Sequence, residues 1–357
     1  MPETKLKSKA CKLMIVSRGH GRGHAVPDMA IARELALSVP NLEIQFVSYA
    51  AGAEAYRACG FDVLDLRAAD KPPMWDQVIA FTRLLCETKP DLVVAHEEPA
   101  AVVAARAFRI PSLFITDYFI DPKHWSMQAL RHADEIIFTA QSGLYTEPTY
   151  LKGRVRYVGR AVRQFEYTLQ HRERARHELD IPPDATVVLC QPGAWVESQV
   201  PLADLMDAAW DLLPCFPKLL IWLAGRDFQT LSARFAHRSD IHLLKEDWRI
   251  DRLMAASDIL ITKANRMTVY EAASLGLPSI SISSMVNWPD DVAVANVESN
   301  TPLSTDAITP SLLAALIEDK AESKPLAAAS LSGGIVGAAE RIAHYVERLG
   351  CAVTRSG

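Results

Sequence analysis

The sequence predicts an α/β chain of two doubly wound parallel-sheet domains in tandem, and three observations lead there. Short β-branched runs alternate with longer amphipathic stretches from residue 12 to about 160. A charged, poorly hydrophobic piece, "RAVRQFEYTLQHRERARHELDIPPDA", then breaks the pattern near a Pro-Pro pair, and after it the same alternation begins again. Strands that alternate with helices pair in parallel, because each crossover returns the chain to the same edge of the sheet. At 357 residues, 49% of them hydrophobic, the chain has enough apolar surface for two cores.

In the first half, strands are expected at "KLMIVS" (12–17), "EIQFVSY" (43–49), "FDVLDL" (61–66), "DLVVAH" (91–96), "SLFITDY" (112–118), "EIIFTA" (135–140) and "VRYVG" (155–159). Helices are expected at 26–38, 51–59, 74–87 and 99–107, where apolar residues recur at helical spacing. The charged piece reads as the crossing between domains plus a solvated helix. Strands resume at "TVVLCQ", "KLLIWLAG", "IHLLK", "DILITK" and "PSISIS", with helices near 199–213, 249–256, 268–275 and 290–298. An Ala/Ser-rich patch at 321–334 reads as a loop before a last helix, "IVGAAERIAHYVERL". The expected boundaries are 1–162 for the first domain and 163–335 for the second. Residues 336–357 then form a final helix that packs back on the first.

A net charge of −5 gives no concentrated basic surface of the kind a nucleic-acid partner requires. The six cysteines, Cys11, Cys59, Cys86, Cys190, Cys215 and Cys351, show no paired spacing, so neither a zinc site nor a disulfide framework is indicated. The basic start "MPETKLKSKACK" is followed by an apolar run too short for a signal peptide or a membrane span. A cytoplasmic protein is the expectation.

Between the first strand and the first helix stands "RGHGRGHA". Gly19, Gly21 and Gly23 let the backbone approach a ligand, and the helix that follows offers N–H groups to an anion. A dinucleotide turn would want G-x-G-x-x-G and an acid at the end of the second strand. The spacing here is G-x-G-x-G and that strand runs into "FVSYAAG", which counts against a nicotinamide cofactor. His20 and His24, four residues apart with no carboxylate in the turn, do not make a metal site. An imidazole beside a helix start can instead take a proton from a hydroxyl or bond a phosphate.

A second motif is "RLMAASDILITKANRMTVYEAASLGLPSISIS" (252–283), in which a strand runs through "ANRM" into a helix opening at Thr268. Glu271 lies one turn inside. Such a turn suits a nucleotide diphosphate, its phosphates on the helix start and its ribose hydroxyls on the carboxylate.

The two motifs together resemble the GT-B glycosyltransferases, in particular the group around the peptidoglycan GlcNAc transferase and the monogalactosyldiacylglycerol synthases. "GHGRGHA" is similar to the group's glycine-rich loop with a closing histidine, here His24. "MAASDILITKANRMTVYEAASLGLP" resembles its T-x-x-E and A-x-G-x-P pattern, "YVGRAVR" (157–163) its interdomain turn, and "PDLVVAHEEPAA" its P-D-x-V segment, with Glu98 and Pro99 in register. The resemblance implies two Rossmann-like domains facing a cleft. It also implies a sugar transferred from a nucleotide diphosphate donor, UDP-linked, to a hydroxyl acceptor with inversion. The donor is a substrate, and no cofactor or metal is implied.

The resemblance makes His24 the base, with His20 as the alternative and Gly21 and Gly23 beside them on the acceptor side; Asp117 is a partner or rival base by its place at the C-terminal edge of the sheet, where ligands gather, and His96 and Glu98 stand at the same edge one strand earlier. The donor would meet Glu271, Thr268, Met267, Arg266, Asn265, Gly193 and Arg163, with Trp248 beside the nucleobase and Asp290, Asp291 and Asn296 near the sugar. Two departures stand out: "Ala264-Asn265-Arg266" where the group has Ser-Gly, and "QPGAW" where it has a longer glycine loop. Rival readings on the same architecture are a nucleotide-sugar hydrolase, a 2-epimerase and a non-catalytic nucleotide-sugar binder. A lipid acceptor would bring the protein to a membrane surface, and "KPPMWDQVIAFTRLL" is amphipathic enough either to serve there or to face the core.

Overall fold

The computed structural model describes residues 10–68, 73–163, 165, 168–193, 198–214, 217–247, 249–283, 289–322 and 333–350. The chain divides into two compact units, Met1–Arg163 together with Ser332–Gly357, and Gln164–Leu331.

The first unit holds strands β1 (Cys11–Ser17), β2 (Leu42–Ser48), β3 (Val63–Asp65), β4 (Leu92–His96), β5 (Ser112–Thr116), β6 (Glu135–Phe138) and β7 (Val155–Tyr157). Between them run helices α1 (Ala25–Ser38), α2 (Ala50–Ala58), α3 (Met74–Thr88), α4 (Pro99–Ala107) and the short α5 (Trp125–Ala129). Every strand pair is parallel and the order is β3-β2-β1-β4-β5-β6-β7. The strand order therefore reverses at β1 and β4, which opens a crevice at their C-terminal ends. β4, β5 and β6 are buried along their whole length, as a parallel sheet covered on both faces requires. α3 buries Gln77, Phe81, Leu84 and Leu85 but leaves Trp75 and Ile79 67% and 50% exposed.

The second unit holds helix α6 (Leu169–Glu178), then β8 (Thr186–Gln191), α7 (Val200–Leu212), β9 (Lys218–Leu223), α8 (Phe228–Arg234), β10 (Ile241–Leu244), α9 (Ile250–Ala256) and β11 (Ile259–Lys263). It continues through α10 (Arg266–Ser274), β12 (Ser279–Ser283), α11 (Pro289–Ala295), β13 (Asn300–Ser304) and α12 (Pro310–Glu322). The parallel order β10-β9-β8-β11-β12-β13 puts its reversal between β8 and β11. Two fully buried tryptophans on its core have their indole N–H groups satisfied: Trp222 donates to Gln199 Oε1 at 2.8 Å and Trp210 to Asp240 Oδ2 at 2.8 Å.

The last helix, α13 (Gly334–Arg348), belongs to the first unit and packs along α1. Arg341 grips the buried Glu135 at the start of β6 with two bonds, Nε to Oε1 at 2.8 Å and Nη2 to Oε2 at 2.7 Å. The Gly334 N–H donates to Arg160 O at 3.1 Å, and a Cβ at Gly334 would lie 2.3 Å from Arg160 C. Only glycine allows that seating.

Several expectations need correction. The helix expected from Thr268 starts at Arg266, because Asn265 caps it two residues earlier. The helix expected over 290–298 ends at Ala295, leaving Asn296 beyond it. α5, α8, α12 and β13 were not anticipated. β13 contains Pro302, which argues against a central strand, and it is tolerated because β13 is the edge of its sheet. The Ala/Ser-rich loop expected at 321–334 begins inside α12 and otherwise lies mostly outside the described residues.

Candidate active site

In the first unit, Ser17 and His96 end β1 and β4 in register, so they stand side by side at the reversal. The loop after Ser17 carries the three glycines, and the structure gives each a different reason. A Cβ on Gly19 would lie 2.2 Å from Tyr49 O and 2.4 Å from Tyr49 Cδ2, so this glycine makes room for Tyr49 rather than for a ligand. Gly21 has φ +77, a conformation natural to glycine. Only Gly23 is exposed with open space where its Cβ would be. His20 is exposed and His24 half-buried. The start of α1 is also poorer in donors than expected: Val26 N–H already reaches Arg22 O at 3.3 Å, and Pro27 has no N–H.

Behind His24 lies a buried polar chain. Asp28, on the first turn of α1 and fully buried, accepts from His96 Nδ1 at 2.7 Å and from the Ser17 hydroxyl, which also bonds Tyr56 OH at 2.6 Å. Burial alone would push the His96 imidazole down; the charge and hydrogen bond of Asp28 outweigh it, and its pKa is raised. The His24 ring meets His96 edge-on, centroids 5.0 Å apart. This fixes His24 at the C-terminal edge of the sheet.

One residue further along stand Glu97 and Glu98. Glu98, 1% exposed, accepts from Tyr49 OH at 3.0 Å and Gln77 Nε2 at 3.2 Å, and burial pushes its carboxyl up to about 7. It was expected to face the acceptor; the structure places it inside, held by two side chains. His96 is likewise buried. Glu97 has a left-handed backbone, φ +53, and is 7% exposed. Its carboxyl is raised by burial and by the nearby charge of Asp117, which follows β5 and is half-buried.

Asp28, Tyr49, Tyr56, Gln77 and Glu97 belong to neither sequence motif. Asp28 carries one sequence signal, its place four residues after His24, in the first turn of the helix that His24 precedes.

In the second unit, Asn265 is the N-cap of α10: its side-chain oxygen accepts from Thr268 N–H at 3.3 Å while its own carbonyl takes Val269 N–H at 3.0 Å. Asn265, Arg266, Met267 and Thr268 thus cluster at the C-terminal end of β11, beside the reversal, with Glu271 one turn inside and 2% exposed. Arg266 and Asp290, expected to serve phosphate and sugar separately, are bound to one another, Nε to Oδ1 at 2.5 Å. Each therefore offers a ligand less charge than its type suggests. Gly193, after β8, is exposed with φ +66. Asp291 is half-buried on α11, and Asn296 is exposed and donates to Val292 O at 3.1 Å. Arg163, half-buried, closes the first unit. Trp248 lies outside the described residues.

No family model matches the chain. It is 25% identical over 295 residues to the UDP-N-acetylglucosamine–N-acetylmuramyl-(pentapeptide) pyrophosphoryl-undecaprenol N-acetylglucosamine transferase of Acetivibrio thermocellus, covering 76% of this chain and 78% of that one. The crystal structure of Acinetobacter baumannii MurG superposes with a TM-score of 0.60 at 16% identity, covering 95% of this chain and 99% of that one. The chain is GT-B-like. Its likeness to the peptidoglycan GlcNAc transferase is one of distant homology. The GT-B-like fold is shared more widely: the S. aureus MnaA–UDP co-structure matches with a TM-score of 0.68 at 14% identity, covering 97% of this chain and all of that one. Among the described residues no helix is long and apolar enough to cross a membrane.

Proposed function

We propose that the protein is a metal-independent glycosyltransferase that moves a hexosyl or N-acetylhexosaminyl group from a UDP-sugar to a hydroxyl acceptor with inversion. The observation that carries this is the start of α10, capped by Asn265 beside the sheet reversal, with a buried carboxylate, Glu271, one turn inside. The helix start suits a diphosphate and the carboxylate suits the ribose hydroxyls. As the bond to the sugar breaks, the diphosphate gains negative charge, which the α10 dipole and Thr268 stabilise. His24 takes the acceptor proton, held at the sheet edge by its contact with His96. The similar transferases, whose names specify a lipid-linked acceptor, support transfer over other chemistry. Trp75 and Ile79 on α3 fit an acceptor presented at a membrane surface on the cytoplasmic side.

Thermal shift with UDP, UDP-GlcNAc, UDP-glucose and GDP-mannose tests the reading. A donor at a hundredfold excess over its Kd adds about 2.7 kcal/mol of stability. Glu271→Ala is expected to weaken donor binding at least tenfold, whereas His24→Ala lowers kcat with donor affinity intact. If no nucleotide sugar stabilises the wild-type protein, the proposal fails. A second reading, a 2-epimerase or hydrolase, draws on the epimerase structures of similar fold. Formation of the 2-epimer, or free sugar released without acceptor, would favour it.

A further inference from the structure

Glu97 combines four unfavourable features that a hydrogen bond from Thr116 to its carboxyl and the charges of His96 and Arg18 offset only in part, since its pKa is still raised. Its backbone is left-handed although it is not glycine, which costs about 1–3 kcal/mol. Its carboxyl is buried. A second carboxylate, Asp117, faces it closely enough to raise its pKa further. Finally, among the described residues Glu97 Oε1 has no hydrogen-bond partner. A buried acceptor without a donor is costly, and proteins keep such groups where a ligand completes them. The position agrees: Glu97 follows the last residue of β4, at the strand reversal, anchored there by its N–H to Ile115 O at 3.1 Å.

Resting on the nucleotide-sugar reading above, we infer that Glu97 is a ligand-binding residue of the first unit, its Oε1 reserved for a hydroxyl of the acceptor. Arg18, half-buried beside it, and Asp117 bound the place where that hydroxyl enters. A carboxyl so placed accepts the hydroxyl proton as a hydrogen bond when ionised and donates to the hydroxyl oxygen when protonated. Either way it fixes the orientation of the attacking group relative to His24.

The test compares Glu97→Gln and Glu97→Gly with wild type in three measurements. These are melting temperature without ligand, the thermal upshift given by UDP-GlcNAc, and the rate of UDP release from UDP-GlcNAc in water and with excess glycerol as a hydroxyl probe. Expected are an unchanged or raised melting temperature, most raised for glycine because the left-handed strain is relieved, an unchanged upshift, and UDP release reduced at least tenfold. A lowered melting temperature in both variants would make Glu97 a structural residue and overturn the inference, as would unaltered UDP release. Absence of any UDP-GlcNAc upshift in wild type would instead sink the nucleotide-sugar reading.

Discussion

At the scale of single residues, Glu98 makes stability depend on pH in an unusual direction. Most native carboxylates have lowered pKa values and stabilise as pH rises; Glu98, at about 7 in the fold, does the reverse. Below its ordinary value near 4.5 it is protonated in both folded and unfolded chains and contributes nothing. As pH rises the unfolded chain ionises first, so stability is lost up to about 7 and the full penalty remains above it. Between pH 5 and 8 this group alone is worth about 2 kcal/mol. Denaturant unfolding of Glu98→Gln should show that difference removed, and an unchanged pH profile would refute the assignment. His96 acts in the same sense around neutrality, its raised pKa giving stability at low pH that is lost as pH rises through it. Of the proposed site, the sequence marks His24, Asn265, Thr268 and Glu271 by motif spacing. Glu97 carries no such mark and Asp28 only its place four residues after His24, since their meaning comes from strand register and burial that only the folded sheet supplies.

At the scale of elements, the glycine loop separates two roles that the sequence presents as one. Gly19→Ala would force a methyl group against Tyr49 O and should destabilise the protein by about 3 kcal/mol or more, read as a lower denaturant midpoint. Gly23→Ala meets no atom and should leave stability within about 0.5 kcal/mol. Equal losses in the two variants would mean that the loop adopts another conformation. The main strands and helices were legible because parallel strands buried on both faces read as continuous apolar runs. What was missed has physical reasons. β13 is a Pro-containing edge strand, α5 is only five residues long, and α12 follows a short loop capped by Thr309, whose hydroxyl accepts from Leu312 N–H at 3.2 Å.

At the scale of the whole molecule, the first unit is built from two separated pieces of chain. α13 is held to it by the Arg341–Glu135 pair and by glycine seating on the turn after β7. Arg341→Ala leaves the buried Glu135 carboxylate, among the described residues, only the longer ion pair with Arg156 at 3.5 Å, and should destabilise the first unit by about 3 kcal/mol. Hydrogen exchange read by mass spectrometry should then show faster opening of α1 and β6 while β8–β12 stay protected. Equal acceleration in both units would contradict the division.

The same discontinuity dictates an order of assembly during translation. Residues 164–331 emerge from the ribosome as one uninterrupted block, whereas the part made before them must wait for a helix made after them. A chain released at a stop codon just ahead of Gly334 would therefore carry a complete second unit and a first unit still lacking its clasp, so a truncation there would injure residues made long before it.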